Sequence, residues 1–182
     1  SLRIIGDGDT SWIKKKSKEL KIDNQLTIEG EMSYKEISEA MKNADAFVLF
    51  SNIENLPLVL IEAMSTGMPI ITTNVGGIPE IFNSFAGYMI KPKEEGELYK
   101  SMKRMIANYD QFDYKKISNY AIQHFSYEKV AKGFNMLYNE MTKNFPKLEF
   151  KIILIFELTN ESCEIMSLSI FSSKRRRLAL TE

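Results

Sequence analysis

The stretch SNIENLPLVLIEAMSTGMPIITTNVGGIPE, from Ser51 to Glu80, decides the fold of this chain. An apolar run, AFVLF at 46–50, ends where this stretch begins, and a second apolar run starts at Pro69. Between the two runs lie a polar loop and an apolar segment of helical length, and a glycine pair follows the second run. This order predicts strand, loop, helix, strand and glycine turn, which is how an open parallel sheet builds a ligand cleft.

The start of the predicted helix is suited to an anion. Pro57 fits the first helical position, because its missing N–H would lack a partner there and its φ is already helical. The backbone N–H groups around Asn55, Leu56 and Leu58 are then free and lie at the positive end of the helix dipole. A phosphate group is the ligand expected for this arrangement.

Two glutamates, with seven residues between them, flank this helix start. Glu62 lies a turn further into an otherwise apolar helix, where an unpaired buried charge is costly, and the vicinal hydroxyls of a ribose would give it two charge-assisted hydrogen bonds. Glu54, just outside the helix, could accept hydroxyls of a sugar attached to the phosphate. These features together predict a nucleotide-sugar site. Two glutamates at this spacing also occur by chance, and Glu62 could instead pair with a lysine or cap a neighbouring loop.

The composition excludes several classes of function. Basic and acidic side chains number 24 each, so no global charge favours nucleic acid as a partner. Cys163 is the only cysteine, which excludes an internal disulfide and is typical of a reducing compartment. His124 is the only histidine, which argues against a histidine-based metal site or a Ser-His-Asp triad and favours a surface capping role. The sequence shows no signal peptide and no 18-residue apolar run, which predicts a soluble cytoplasmic protein.

The hydrophobic pattern alternates between strand and helix periods, as in an α/β domain. Strands are predicted at 2–5, 26–29, 46–50, 69–73 and 87–90. Helices are predicted at 10–20, 34–43, 58–65, 78–82, 94–108, 114–124 and 127–143. Ser33 and Glu36 predict a capping box for the second helix, and Ser126 predicts an N-cap for the last. The apolar stripe of that last helix is expected to be core; it comprises Val130, Phe134, Leu137 and Tyr138.

The segment Gly6-Asp7-Gly8 allows a second interpretation, a dinucleotide site, since it follows a strand and precedes a helix. The third glycine of that fingerprint would be Ser11, and Glu29 is the only candidate for the acid that binds the ribose. The incomplete fingerprint weighs against this interpretation, because a tight turn needs small residues whatever its ligand.

Residues 2 to about 143 resemble the C-terminal, donor-binding domain of the retaining glycosyltransferases of family 4, whose GT-B architecture consists of two facing Rossmann-like domains. Seven segments match in the family's order: 2–8 (LRIIGDG), 26–30 (LTIEG), 44–51 (ADAFVLFS), 54–64 (ENLPLVLIEAM), 67–71 (GMPII), 76–80 (GGIPE) and 125–127 (FSY). The resemblance implies an α/β fold, a Rossmann-like open parallel sheet with helices on both faces, followed by C-terminal helices.

The resemblance also implies roles for the matching residues. Glu62 matches the glutamate that holds the ribose, and Glu54 matches the one that contacts the donor sugar, so that Glu54 is the candidate catalytic residue. The residues implied to bind the donor substrate are Glu54, Asn55, Leu56, Pro57, Leu58 and Glu62. The turn implied to lie beside the nucleobase is Gly30-Glu31-Met32. Many members have Gly-Phe-Gly where this chain has Asn55-Leu56-Pro57, which leaves the identity of the sugar open.

The implied activity is that of a hexosyltransferase, a retaining transfer of sugar from a nucleotide-diphosphate sugar to a glycan or lipid acceptor, without metal or cofactor. The backbone N–H groups would stabilise charge on the departing diphosphate, and Glu54 would orient the sugar. The family's first strand, with its diphosphate-binding arginine and lysine, and its acceptor domain have no counterpart in these residues. The chain is therefore expected to be a truncated form that is inactive alone. The alternative is a non-catalytic nucleotide-binding or interaction module of the same fold.

Two domains are expected, a donor-binding domain at 1–144 that lacks its first strand and an atypical tail at 145–182. Residues 151–158 (KIILIFEL) predict a strand, which could pair with the sheet edge left open by the unmatched first strand. The basic run KRRR at 174–177 fits a solvated tail, a peripheral contact with an anionic membrane at its inner face, or sequence translated after a frameshift.

Overall fold

The computed structural model describes residues 1–144, 153–155 and 169–171. Up to the fifth strand, strands alternate with helices, and three longer helices follow. The strands of this α/β unit are β1 (Leu2–Ile5), β2 (Leu26–Glu29), β3 (Phe47–Leu49), β4 (Ile70–Thr73) and β5 (Gly87–Ile90). The helices are α1 (Ser11–Glu19), α2 (Tyr34–Lys42), α3 (Leu58–Ser65), α4 (Ile78–Ile81), α5 (Glu95–Ala107), α6 (Tyr114–Phe125) and α7 (Tyr127–Asn144). The order and type of these elements confirm the sequence prediction, and their ends differ from it by one or two residues.

The strand pairs within residues 1–144 are all parallel, and they form two separate hydrogen-bonded ladders. β1 pairs with β2, with Leu2 opposite Leu26 and Ile5 opposite Glu29. β4 lies between β3 and β5 and pairs with both. No ladder joins β1 to β3 in the part of the chain that the structure describes, so each of these strands has an open edge.

The two ladders fit one strand order. Doubly wound sheets commonly have six strands in the order 3-2-1-4-5-6, with helices on both faces. The five parallel strands correspond to strands 2 to 6 of that order, so β1 and β3 flank the position of its first strand. In this order, strands 2 and 3 extend the sheet to one side of strand 1, and strands 4 to 6 extend it to the other side. The strand order therefore reverses between strand 1 and strand 4, which corresponds to β3.

The core lies on both faces of the ladder formed by β3, β4 and β5. On one face, α2, α3, α4 and α6 pack around Ile70. On the other face, Ile71 and Ile90 pack against Met105 of α5. All four residues of β4 are buried, as expected of a central parallel strand covered by helices on both sides.

The first strand-helix-strand unit, β1–α1–β2, contributes no residue to either core cluster. Ser17 is the only buried residue before residue 40, and Trp12 of α1 is 68% exposed. Parallel strands usually bury both of their faces. This unit therefore lacks the cover that the second ladder has.

The last helix differs from the prediction in its burial. Its start is formed as predicted, because the Ser126 hydroxyl accepts the N–H of Lys129 at 3.4 Å. The prediction of a core stripe is wrong for Leu137 and Tyr138, which are 54% and 43% exposed. Among the described elements, α7 packs chiefly against α6. The contact with α6 does not cover Leu137 and Tyr138.

The described part of the tail is a small antiparallel sheet, in which β6 (Ile153–Ile155) pairs with β7 (Ser169–Phe171). A strand was predicted here, but its proposed pairing with the open edge of the main sheet is wrong for these residues. Closing a loop within the tail costs less chain entropy than reaching a distant edge. The basic run at 174–177 lies outside the described residues.

Candidate active site

The candidate site lies at the carboxyl end of β3, next to the point where the doubly wound strand order that the ladders fit reverses. Ligands of open parallel sheets bind outside the carboxyl ends of the strands at such a reversal. The loop from Phe50 to Pro57 leaves β3 at this point and leads into α3. The fold therefore places both predicted glutamates beside the expected ligand cleft.

Thr73 ties the start of this loop to the end of β4. Its hydroxyl donates to the carbonyl oxygen of Ser51 at 2.7 Å and accepts the N–H of Ser51 at 3.2 Å. Thr73 is completely buried, so these bonds satisfy the hydroxyl where water cannot. The carboxyl ends of β3 and β4 are thereby held together.

The carboxylate of Glu54 is partly buried and accepts a hydrogen bond from the Ser51 hydroxyl, with 2.6 Å between Oγ and Oε1. The other carboxylate oxygen, Oε2, has no partner among the described residues. One oxygen of Glu54 is therefore fixed by the protein, and the other is available to a ligand.

The glycine turn after β4 lies directly against this loop. The N–H of Gly77 donates to the carbonyl oxygen of Asn55 at 2.6 Å. A Cβ on Gly76 would come within 1.9 Å of the Glu54 carbonyl oxygen, and the φ of Gly76 is +53°. Glycine is required at position 76 by both the close approach and the left-handed backbone.

Pro57 lies one residue outside the helix, so its predicted place as the first helical residue is wrong. Its ψ of 107° is extended, and α3 begins at Leu58 with Pro57 as the N-cap. The chain reaches the helix in an extended conformation, and the Pro57 carbonyl accepts the N–H of Leu60 at 3.1 Å. Among the described residues, no backbone acceptor lies within reach of the N–H groups of Leu58 and Val59. Proline has no side-chain oxygen to cap them, so these donors remain free at the positive end of the helix.

Glu62 is partly buried in the second turn of α3. No hydrogen bond or ion pair engages its carboxylate within the described ranges, and burial raises its pKa above the ordinary value of 4.5. The alternative roles considered from the sequence, a lysine partner or a loop cap, are thus not formed here. The structure leaves this carboxylate without a partner on the same helix whose first N–H donors are free.

The Cα–Cβ bond of Glu62 tilts toward the start of its helix, as it does for every residue of an α-helix. Glu62 and Leu58 are four residues apart and share the less buried face of α3. The buried faces are formed by Leu60, Ile61, Ala63 and Met64. Glu62 follows Leu58 by four residues, which corresponds to about 6 Å along the helix axis.

The remaining predicted site residues lie at different places. Asn55 and Leu56 are exposed on the loop, next to Glu54. Gly30, Glu31 and Met32 follow β2, which lies in the other ladder, where it pairs with β1. The structure thus brings the loop and α3 together but shows no contact between them and the turn at 30–32.

The acid of the dinucleotide interpretation is already engaged. The guanidinium of Arg3 donates to both carboxylate oxygens of Glu29, with 3.0 Å between Nη2 and Oε1, and also from Nε to Oε2. These bonds lower the pKa of Glu29. A ribose would have to displace Arg3, which weighs against this interpretation.

Sequence analysis missed the roles of Ser51 and Thr73. Two signals could have indicated them. A serine three residues before an acid in a loop commonly bonds it locally, and a threonine at the end of a strand that is expected to be buried usually has a hydrogen-bond partner.

His124 lies in the last turn of α6, with Nδ1 at 2.9 Å from the carbonyl oxygen of Tyr120. The described ranges contain no group of three His, Cys, Asp or Glu side chains placed to hold a metal ion. In the same part of the chain, no helix combines the length and apolar character needed to cross a bilayer.

Comparison with known proteins shows where this fold occurs. The lipopolysaccharide 1,6-galactosyltransferase of Salmonella typhimurium is 37% identical over 101 residues, which are 54% of this chain and 26% of that protein. The structure of the lipopolysaccharide outer core galactosyltransferase WaaB is similar, with a TM-score of 0.67 and 27% identity over 81% of this chain and 41% of that one. Anabaena HepE, solved in complex with UDP-glucose, has the same fold, with a TM-score of 0.65 and 21% identity over 76% of this chain and 40% of that one.

The chain spans less than half the length of the relatives and structures that it matches. The family model described as glycosyl transferases group 1 matches residues 1–124, which include β1 to β5, both glutamates and the glycine turn. The chain belongs to the glycosyl transferases group 1 family, and its α/β fold is that of one half of a GT-B glycosyltransferase.

Proposed function

We propose that this chain is the donor-binding domain of a retaining glycosyltransferase, which holds a nucleotide-diphosphate sugar at the start of α3. In this proposal the diphosphate meets the free N–H groups of Leu58 and Val59, the ribose lies on Glu62, and the sugar faces Glu54. The partly buried carboxylate of Glu62, which has no partner among the described residues, carries the proposal. The two hydroxyls of a ribose would supply the hydrogen bonds that it lacks.

The comparisons support a nucleotide-sugar as the donor. The structure of Anabaena HepE, which shares the fold, contains UDP-glucose, and a second structure of that protein contains UDP. The relative from Salmonella is named a galactosyltransferase that acts on lipopolysaccharide. A hexose as the transferred sugar and a glycan or lipid-linked acceptor fit these names.

The proposed reaction uses the helix start to stabilise the leaving group. The N–H groups of Leu58 and Val59 donate to the diphosphate as negative charge develops on it. The acceptor hydroxyl attacks the sugar carbon from the face that the diphosphate leaves and gives its proton to the diphosphate, so the configuration is retained. Glu54 accepts sugar hydroxyls through its free oxygen and orients the ring.

We further propose that the sheet is completed by one parallel strand between β1 and β3, and that catalysis requires a separate acceptor domain. The open edges of these strands and the uncovered β1–α1–β2 unit support the first part. The second part is supported by the share of its relatives that the chain spans. The described residues alone would then bind donor without transferring its sugar.

Isothermal titration calorimetry with UDP, GDP and ADP tests the proposed site. One of the three should bind, and Glu62→Ala should weaken that binding by about 1.5–3 kcal/mol, the usual worth of hydrogen bonds to a charged group. Glu97→Ala is the matched control, because Glu97 is an exposed glutamate on α5 that pairs with Lys100 at 2.8 Å. The proposal is contradicted if no nucleotide binds, or if the two variants bind equally well.

A further inference from the structure

We infer that Ser51 is a positioning residue, which fixes the carboxylate of Glu54 for the donor sugar, and that Thr73 in turn fixes Ser51. This inference rests on the proposed function, since it takes Glu54 as the group that meets the sugar. It adds two residues, neither of them needed to touch the substrate, that determine where the free oxygen of Glu54 lies.

The Ser51 hydroxyl donates a hydrogen bond to the Glu54 carboxylate. Its length of 2.6 Å lies within the range of charge-assisted bonds between a hydroxyl and a carboxylate, which are stronger than neutral ones. The residues between them do not anchor the loop by packing, because Asn52 is exposed and Ile53 is 88% exposed. The Ser51 hydroxyl is therefore the side-chain contact that restrains the Glu54 carboxylate in the described part of the chain.

The Thr73 hydroxyl holds the main chain of Ser51. Both main-chain groups of Ser51 are bonded to the Thr73 hydroxyl, at 2.7 and 3.2 Å. Thr73 belongs to β4, every residue of which is buried. The position of Ser51 is thus set by a fully buried strand, and the carboxylate is connected to the core through the side chains of Ser51 and Thr73.

The far side of Glu54 is held independently. The Gly77 N–H bonds the carbonyl oxygen of Asn55 at 2.6 Å, and Gly76 packs against the carbonyl oxygen of Glu54. The main chain of this loop is therefore held at Ser51 by β4 and at Glu54 and Asn55 by the glycine turn. Its Oε1 is occupied by Ser51, which leaves Oε2 in a fixed orientation. A preorganised acceptor of this kind holds a sugar hydroxyl at a smaller entropy cost than a mobile one.

Titrations with UDP and UDP-glucose separate this role from others. Ser51→Ala should weaken UDP-glucose binding about three- to tenfold, the worth of one hydrogen bond, and leave UDP binding unchanged. Ser51→Thr keeps the hydroxyl and should restore the affinity for UDP-glucose. In a Glu54→Ala background, Ser51→Ala should have no further effect. Equal losses for both ligands, no loss for UDP-glucose, or an additional loss in the Glu54→Ala background would each overturn the inference.

The restraint of the Glu54 side chain by Ser51 can also be measured without a ligand. If GDP or ADP binds in place of UDP, that nucleotide and its glucose ester replace UDP and UDP-glucose in these titrations. If none of the three nucleotides binds the unaltered chain, the proposed function is contradicted. Carbon-13 relaxation of the Glu54 side-chain methylenes then tests the restraint itself. Ser51→Ala should increase their picosecond-to-nanosecond motion and Ser51→Thr should not, with the unfolding midpoint recorded to confirm that both variants fold. Unchanged motion in Ser51→Ala would overturn the inference, whether or not a nucleotide binds.

Discussion

The N–H of Gly77 donates to the carbonyl oxygen of Asn55 at 2.6 Å, and this bond fastens the glycine turn after β4 to the loop that carries Glu54. The two segments leave the carboxyl ends of neighbouring strands, where parallel sheets place their ligands. The loop and the glycine turn thus hold the main chain at Glu54, one of the two acidic residues of the candidate site. Its geometry depends on residues that bear no charge.

Replacing Gly76 with alanine should destabilise the fold. The new Cβ would meet the Glu54 carbonyl oxygen at 1.9 Å, in a left-handed backbone that itself costs about 1–2 kcal/mol for other residues. Urea denaturation should show a loss of at least this size. Gly133→Ala is the matched control, because nothing lies within 4 Å of that helical position, and it should gain about 0.5–1 kcal/mol. A Gly76→Ala variant as stable as the unaltered chain would refute the close approach.

Thr72 and Thr73 should respond oppositely to replacement by valine. Thr73→Val removes both bonds to Ser51 and should cost about 1–3 kcal/mol, because buried backbone groups lose their partner. The Thr72 hydroxyl is buried without a hydrogen-bond partner within the described residues, so Thr72→Val should be neutral or stabilising. Thermal and urea unfolding of the two variants provide the comparison. Similar losses for both would contradict the assigned hydrogen bonds.

Glu62→Gln should stabilise the chain increasingly as the pH rises. Burial raises the pKa of Glu62 in the folded state, so the folded state holds the proton more tightly than the unfolded state. The stability that this group contributes is complete below the unfolded pKa, near 4.5, and is lost as the pH rises through the raised folded value. Glutamine has no such dependence. Urea unfolding of both forms from pH 4 to pH 7 should show a growing advantage for glutamine, whereas a constant difference would exclude a buried charge at this position.

Hydrogen exchange should show that β1 and β2 open more readily than β4. Neither strand contributes to the two core clusters, and β1 has an open edge, whereas β4 is buried throughout. Amides of the first ladder should exchange on the order of a hundredfold faster than those of β4, because they open locally without global unfolding. Equal protection of the two ladders would mean that the first unit has cover from elsewhere, and it would remove the support for a further strand.

The sequence predicted most of the fold because its strands and helices carry strong local signals. The apolar run before Ser51 and the capping box at Ser33 and Glu36 depend on neighbouring residues, and both appear as predicted. Pro57 was misplaced by one position, because proline is compatible with both the N-cap and the first helical turn. The exposure of Leu137 could not be predicted, since an apolar stripe does not show which surface covers it.

The site was predicted less completely than the fold. Glu54 and Glu62 could be found because a carboxylate next to apolar residues is costly and therefore conspicuous. The contacts of Glu54 with Ser51 and with the glycine turn depend on how two loops meet in space. The spacing of Ser51 and Glu54 along the chain indicates their contact only as a local tendency. It does not indicate the contact between Glu54 and the glycine turn. The pairing of Arg3 with Glu29 joins neighbouring strands, so it likewise required the register of the sheet.

The central claim, that Glu62 holds the ribose, is tested most directly by removing both partners of that contact in turn. Calorimetry would take whichever of UDP, GDP and ADP the chain binds and compare it with its 2′,3′-dideoxy form, on the unaltered chain and on Glu62→Gln. The unaltered chain should prefer the nucleotide with both ribose hydroxyls by about ten- to a hundredfold, because the diol gives two bonds to a charged carboxylate, and Glu62→Gln should lose most of that preference. An equal preference in both proteins, or none in the unaltered chain, would show that Glu62 does not bind the ribose.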